Sequence, residues 1–412
     1  MRSTTNRSAT SEKLSVPGTI VGLTKNVFYT GLVSFFMDLS SEMVYPLVPL
    51  FLASMGASKS VIGLIEGIAE STASLVKVVS GRLSDRMLSR KYFMIAGYSF
   101  AILSRPILAT AASWHGVLTA RFIDRLGKGI RTAPRDALIA EATEEARLGR
   151  SFGFHRAMDT AGAVLGPGIA FLLLRALSQG YQSVFWLSVV PASIAVLVII
   201  FFITEKKRQP AGISQMVGRC RQKLGRQGSF FIGIAALFAF GNSSDAFLIL
   251  KAQHAGVPAY LIPVVYLLFN FVYATTAIPA GILADWLGAR KVILTGFLLF
   301  AALYWGFGVA TAPVALWVLF CLYGVFMGLT EGVHKAYLAS IVPAEMFATA
   351  FGAYGTAVGL AVLPASIIAG LLWDHVAPAA PFFFGAATAV SAFLLFLIFG
   401  AVTKKDGQSS FE

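Results

Sequence analysis

The feature that most constrains this chain is a succession of long apolar runs, at about 26–54, 60–80, 91–112, 116–140, 150–174, 182–204, 229–252, 260–283, 290–311, 313–340, 345–373 and 379–403, separated by short polar turns. A helix rises about 1.5 Å per residue, so roughly 20 apolar residues cross the hydrocarbon core of a bilayer. Inside lipid a backbone finds no water to bond. A spanning segment is therefore a helix or part of a closed barrel, and runs this long are helices. Twelve runs predict an all-α membrane protein with twelve crossings. Composition agrees, because 57% of the 412 residues are hydrophobic and 13% are charged, with a mean hydropathy of +0.74. That is too apolar for a water-soluble protein of this size.

A formal charge of +13 would suit nucleic acid, but the basic residues are gathered in particular loops. Arg2, Arg7, Lys13 and Lys25 precede the first run, and Arg82, Arg86, Arg90 and Lys91 follow the second. Seven more lie between Lys206 and Arg226, and Lys404 and Lys405 close the chain. The positive-inside rule then puts both termini and the central loop in the cytoplasm of a multi-pass protein of the bacterial inner membrane, which requires an even number of crossings. No nucleic-acid partner is needed to explain the charge; membrane lipids are the expected surroundings. The organisation reads as a cytoplasmic tail 1–25, a six-helix bundle 26–204, a cytoplasmic linker 205–228, a second bundle 229–403 and a tail 404–412. The first thirty residues hold no short apolar core with a small-residue cleavage site, so no removable signal is expected. Cys220 and Cys321 fall in a polar and an apolar stretch without metal-ligand spacing, and neither a disulfide, a metal nor a cofactor is expected.

The halves repeat. Gly81-Arg82-Leu83-Ser84-Asp85-Arg86 with Arg90-Lys91 matches Gly281-Ile282-Leu283-Ala284-Asp285-Trp286 with Arg290-Lys291 at an offset of 200. Gly129, Ala137, Ala140 and Phe152-Gly153 are echoed by Gly328, Ala336, Ala339 and Phe351-Gly352 at an offset of 199. Duplicated bundles place a binding site at their interface in many secondary transporters. The Gly-x-Leu-x-Asp-x-x-x-x-Arg-Lys loop resembles the signature of the major facilitator superfamily. That resemblance implies a monomeric transporter of a small molecule with two six-helix bundles, in which Gly81, Asp85, Arg86 and Arg90, with Gly281, Asp285 and Arg290, tie the cytoplasmic helix ends together in one state of the cycle. The first copy has Leu88-Ser89 where the second has Gly288-Ala289. Three stretches are similar to the twelve-helix drug/proton antiporter branch: Pro46-Leu47-Val48-Pro49, Arg121-Phe122-Ile123-Asp124-Arg125-Leu126-Gly127, with Asp and Arg where the branch has Gln and Gly, and Gly162-x-x-x-Gly166-Pro167, without the closing glycine pair.

Charges inside the hydrocarbon cost about 2.5 to 3.5 kcal/mol each on insertion scales, so each one is a candidate until it is paired. Asp38 and Glu42, Glu66 and Glu70, and His155 and Asp159 are each four apart and share a helix face. On the fourth helix Arg121, Asp124, Arg125, Lys128 and Arg135 fall within about 100° of arc, with Arg131 and Asp136 at its edges. Eight basic and seven acidic interior candidates in the first half nearly cancel, so many of them are expected as ion pairs. The acids Asp38, Glu42, Glu66, Glu70, Asp124 and Asp159 are the proton-coupling candidates, with Asp38, Glu42 and Asp124 leading, because a partly desolvated carboxylate changes protonation with the side that is open. The remaining charge and substrate candidates are Arg121, Arg125, Lys128, Arg131, Arg135 and Asp136, joined in the second half by Asp245, Glu331, His334 and Lys335. Aromatic and soft contacts could come from Asn270, Tyr273, Tyr304, Trp305, Phe326, Met327 and Tyr337. Gly63 with Gly67 and Gly162 with Gly166 permit close crossings, and Pro134 and Pro167 are expected to bend their helices.

These features point to proton-coupled export of a small organic compound. Uptake or exchange of an anionic solute on the arginine-rich fourth helix is the alternative. An ATP-driven pump would need a GxxxxGK[ST] loop, which Gly127-Lys128-Gly129 does not provide. The five histidines show no His-x-x-x-His spacing, and no nucleophile sits beside a base, so an enzyme is not expected.

Overall fold

The computed structural model describes residues 19–20, 23–84, 89–143, 147–177, 180–205, 225–343 and 346–408. Most of the tail 1–25 and of the linker 205–228, with Cys220, Leu88, Asp85 and Arg86, lies outside these residues. Among the described residues ten helices are long and apolar enough to cross a membrane. In chain order they are the first (Lys25–Ser54), third (Lys91–Ala109), fifth (Arg150–Ala176), sixth (Gly180–Phe202), seventh (Arg226–His254), eighth (Ala259–Leu287), ninth (Ala289–Val309), tenth (Pro313–Ile341), eleventh (Thr349–His375) and twelfth (Ala380–Phe399). The second, Lys59–Ser84, and the fourth, Trp114–Glu141, have 26 and 28 residues, ample length to cross, but too much charge to pass as apolar. Helices one to six form one bundle and seven to twelve the other.

Three helices are interrupted among the described residues, the sixth only at Ser188, which keeps helical angles, and the first and seventh more widely. The first runs Lys25–Val44, passes through a 3-10 turn at Tyr45–Leu47 and resumes at Val48–Ser54. Pro46 and Pro49 are the cause, since each lacks an N–H and crowds the preceding turn. The seventh stops at Gly241 and restarts at Ala246, with Asn242 turned out of the helix at φ −89 and ψ 82. Pro134 and Pro167, by contrast, lie inside continuous helices. The second copy of the repeated loop turns on Gly288, whose φ of 87 suits a residue without a Cβ.

The bundles meet mainly along the second and eleventh helices. A Cβ on Gly67 would sit 3.0 Å from Leu363 Cα, and one on Gly370 2.5 Å from Ser60 Cα, so glycine is what lets these backbones touch. Ser71 Oγ donates to the Gly359 carbonyl at 2.8 Å. At one end of this seam Asp374 accepts from the Lys59 N–H at 3.1 Å, the Ser60 N–H at 2.7 Å and the Ser60 hydroxyl at 2.6 Å. A carboxylate from one bundle thus caps the N-terminus of a helix in the other. Towards the opposite side, which carries Lys25 and Arg226 and is called the terminal side below, the bundles part. Gly153 on the fifth helix and Gly352 and Gly355 on the eleventh have nothing within 4 Å of an added Cβ. The closest backbone contacts between the bundles thus lie towards the far side, and these three glycines of the terminal side have open space beside them.

Removing the Asp374 cap leaves two backbone N–H groups without an acceptor at that closure. In a cysteine-free background, Lys59→Cys should react with a membrane-impermeant maleimide severalfold faster when Asp374→Ala is added. An unchanged labelling rate would show that the closure does not depend on the cap.

Candidate functional site

The fourth helix organises the charges. Residues 121, 124, 125, 128 and 131 recur at three- and four-residue spacing and form one stripe, which the second, third and first helices cover. Arg121 Nη2 lies 2.6 Å from Glu66 Oε2, with Glu66 1% exposed. Asp124 pairs with Arg105 of the third helix at 3.2 Å. Arg125 reaches Glu70 at 3.1 Å and Asp124 at 3.9 Å. Four of the sequence candidates, Glu66, Glu70, Arg121 and Arg125, are therefore matched across the second and fourth helices, and Asp124 is matched to Arg105.

Asp38 and Glu42 differ from these. They sit one turn apart on the first helix, seated against the two small residues of the fifth. A Cβ on Gly162 would lie 3.2 Å from Asp38 Cβ, and one on Gly166 2.8 Å from Glu42 Cβ. The Gly-x-x-x-Gly-Pro motif thus brings the first helix in close enough to hold two acids in the interior. Neither acid has a cation within ion-pair distance among the described residues, and Glu42 Oε2 is buried without a hydrogen-bond partner. Both line a cavity of about 180 Å³ with Glu70, Asp124, Arg105, Arg121, Arg125, Lys128, Arg131, Tyr45 and Tyr266. Among the described residues Lys128 and Arg131 also have no carboxylate within ion-pair distance. The Arg131 guanidinium stacks 4.5 Å from the Tyr98 ring centre, and its Nη1 is unpartnered.

The break in the first helix lies at this cavity, with Val44 and Tyr45 in its lining. Tyr45, in the 3-10 turn, lies beneath the guanidiniums of Arg121 and Arg125 at 5.4 and 5.9 Å and meets Tyr266 of the second bundle at 5.5 Å. At the matching break in the seventh helix, Tyr323 donates to Asp245 at 2.9 Å and Tyr304 to Asn242 at 3.1 Å. Interrupted helices in corresponding positions of two repeats are where such proteins place their binding sites. Tyr45 and Tyr266 were not singled out from the sequence; the Tyr-Pro step inside an apolar run was the available signal for Tyr45.

Below the cavity, towards the terminal side, His155 lies 2.6 Å from Ser34 Oγ and 3.5 Å from Asp159. Arg135 donates to Ser34 at 3.3 Å and pairs with Asp136 at 2.8 Å. Arg156 of the fifth helix reaches across to Tyr273 of the eighth and to Glu331 of the tenth, the latter at 3.3 Å; Tyr273 also donates to Glu331, and Lys335 stands 3.9 Å from it. Glu331 and Lys335 therefore join a clamp between bundles and stand apart from Arg121. His334 faces Phe231, Phe238 and Phe297 inside the second bundle, away from the anion position suggested by its level. Of the proposed soft contacts, Asn270 and Tyr273 reach the other bundle, Tyr304 and Phe326 are buried in the core, and Trp305 points outward.

In the repeated loop, Gly81 packs 3.3 Å, by an added Cβ, from Ala133, whereas Gly281 has nothing near it and Asp285 is exposed. Arg90 pairs with Glu141 at 2.7 Å, and the Glu205 carboxylate accepts the Arg90 and Lys91 N–H groups at 2.8 and 3.0 Å. Arg290 donates to the Phe396 and Leu397 carbonyls at 3.0 and 3.2 Å. Each basic residue thus ties helix ends within its own bundle.

A family model described as Major Facilitator Superfamily matches residues 30–269 and 229–412. The chain is a member of that superfamily. An uncharacterised MFS-type transporter of Methanocaldococcus jannaschii is 36% identical over 382 residues, covering 91% of this chain and 95% of the relative. The quinolone resistance protein NorA of Staphylococcus aureus is 24% identical over 147 residues, 36% of this chain. Among solved structures, the human organic anion transporter MFSD10 superposes with a TM-score of 0.65 at 17% identity, covering 90% of this chain and 99% of its own. A POT family transporter bound to 5-aminolevulinic acid superposes at 0.77 with 12% identity, covering 92% and 97%. The protein is a multi-pass superfamily transporter, and a fold of this kind carries small molecules.

Arg121→Met strands the Glu66 carboxylate in the interior and should cost about 3–5 kcal/mol, with Arg121→Met/Glu66→Leu recovering most of it. Asp38→Asn breaks no ion pair and should leave the unfolding temperature, measured in detergent, where it was. Equal losses for Asp38→Asn and Arg121→Met would contradict this division of the charges.

Proposed function

We propose that the protein is a proton-coupled secondary active transporter that works by alternating access and exports a small organic compound. The observation that carries this reading is the pair Asp38 and Glu42, two interior carboxylates that face the cavity unpaired while their neighbours are matched. A carboxylate without a fixed counter-ion is free to exchange its proton for solute as the cavity turns from one side to the other. The resemblance to NorA supports the outward direction. In this reading residues 26–204 and 229–403 are the two rocking bundles joined by 205–228, the protein is monomeric in the plasma membrane, and both termini are cytoplasmic. The Asp374 cap and the Arg156–Glu331 clamp are then the contacts that break and form between bundles.

The sign of coupling follows. Export by antiport runs on protons moving inwards, so an acid exterior should accelerate loss of solute from the cytoplasmic side. In proteoliposomes loaded with candidate compounds and subjected to a pH gradient, the wild type should accumulate or expel its solute, whereas Asp38→Asn with Glu42→Gln should exchange solute without responding to the gradient. Transport indifferent to the gradient in the wild type sinks the coupling. A second reading, transport of an anionic solute, is favoured by Lys128 and Arg131, cations at the same cavity without carboxylate partners among the described residues. Loss of anion binding in Lys128→Met with folding intact would favour it.

A further inference from the structure

The charges around the cavity divide into those already matched and those left over, and the remainder has both signs. Glu66, Glu70 and Asp124 are held by Arg121, Arg125 and Arg105 at 2.6, 3.1 and 3.2 Å. What remains is two carboxylates, Asp38 and Glu42, on the first helix, and two cations, Lys128 and Arg131, on the fourth, all lining one cavity. Glu42 Oε2 and Arg131 Nη1 are buried with no hydrogen-bond partner, so each side of the cavity carries an unmet demand.

The remainder is electrically balanced, two against two. A solute of one sign would satisfy one wall, leave the other unmatched and give the cavity a net charge in a medium where charge is poorly solvated. A solute with an amine at one end and a carboxylate at the other meets both walls and leaves the balance untouched. A cavity of about 180 Å³ admits a small organic solute. Tyr45 and Tyr266 supply the apolar surface against which its chain would lie.

We propose that the transported solute is a small amphoteric compound, a primary amine and a carboxylate joined by a short chain, with its ammonium on Asp38 and Glu42 and its carboxylate on Lys128 and Arg131. This deepens the proton-coupled reading and rests on it. An ammonium group and a proton compete for the same two carboxylates, which is the condition for antiport: the amine binds where the carboxylates are ionised, and protonation weakens their hold on it.

Three probes of one length separate the possibilities: δ-aminovalerate, with both groups, valerate, with the carboxylate alone, and pentylamine, with the amine alone. Binding to the full chain in lipid nanodiscs is read by calorimetry without any gradient, so failure here leaves the coupling test untouched. Each charge-assisted contact is worth about a tenfold change in affinity or more, so δ-aminovalerate should bind at least about tenfold tighter than either single-ended probe. Glu42→Gln should lower its affinity to that of valerate, and Lys128→Met to that of pentylamine. Thr119→Ala, on the same helix and outside the cavity, should change neither, and thermal unfolding confirms that each variant is folded. Valerate or pentylamine binding as tightly as δ-aminovalerate, or no binding of any probe to folded protein, would overturn the proposal.

Discussion

A charge in hydrocarbon has to be met by an opposite charge close at hand, and in this protein that requirement is concentrated on the fourth helix. Glu66 with Arg121 at 2.6 Å, and Asp124 with Arg105 at 3.2 Å, bind the second and third helices to the fourth. Because breaking a buried pair costs far more than the pair contributes, these contacts fix how the helices register against one another. They also explain how two helices too charged to look apolar can cross a membrane. Their charges are turned inward, and the lipid meets the other face.

With the second, third and fourth helices locked, the first helix is held by shape. Gly162 and Gly166 admit its backbone, and Pro46 and Pro49 break it where the cavity lies. The same break recurs in the seventh helix at Asn242–Asp245, without proline. The two halves thus keep one architecture with different chemistry. The first bundle carries the charges, and the second offers Tyr266, Tyr273 and an aromatic interior around Tyr304 and Phe326. Between the bundles run a long seam of the second and eleventh helices with the Asp374 cap at the far side, the Tyr45–Tyr266 and Asn270 contacts beside the cavity, and the Arg156 clamp towards the terminal side.

Much of this was legible in the sequence. Twelve long runs, ten of them apolar and two rich in charge, marked the helices to within a few residues, since burial in lipid leaves few alternatives, and the loop repeat announced the duplication. The helical spacing of the fourth-helix charges put them on one face. Which charge meets which was not legible, because a pattern on one helix does not say what the neighbouring helix presents. Arg105, which pairs with Asp124, and the rings of Phe231, Phe238 and Phe297 around His334 all belong to neighbouring helices, and the spacing on one helix carries no sign of them. Proline gave a mixed signal. Pro134 and Pro167 sit in unbroken helices, while Asn242 turns the chain out of the helix after Gly241, in a stretch that holds no proline.

The account turns on Asp38 and Glu42 linking protonation to the side that is open. Gly153 of the fifth helix and Gly352 of the eleventh have open space around an added Cβ, so spin labels on Gly153→Cys and Gly352→Cys report the distance between the bundles on the terminal side with little disturbance. Measured in nanodiscs across a pH series, the distance distribution should shift between an open and a closed population in the wild type. It should become independent of pH in Asp38→Asn/Glu42→Gln while remaining pH-dependent in Tyr273→Phe. A pH-dependent shift that survives loss of both carboxylates would contradict the account.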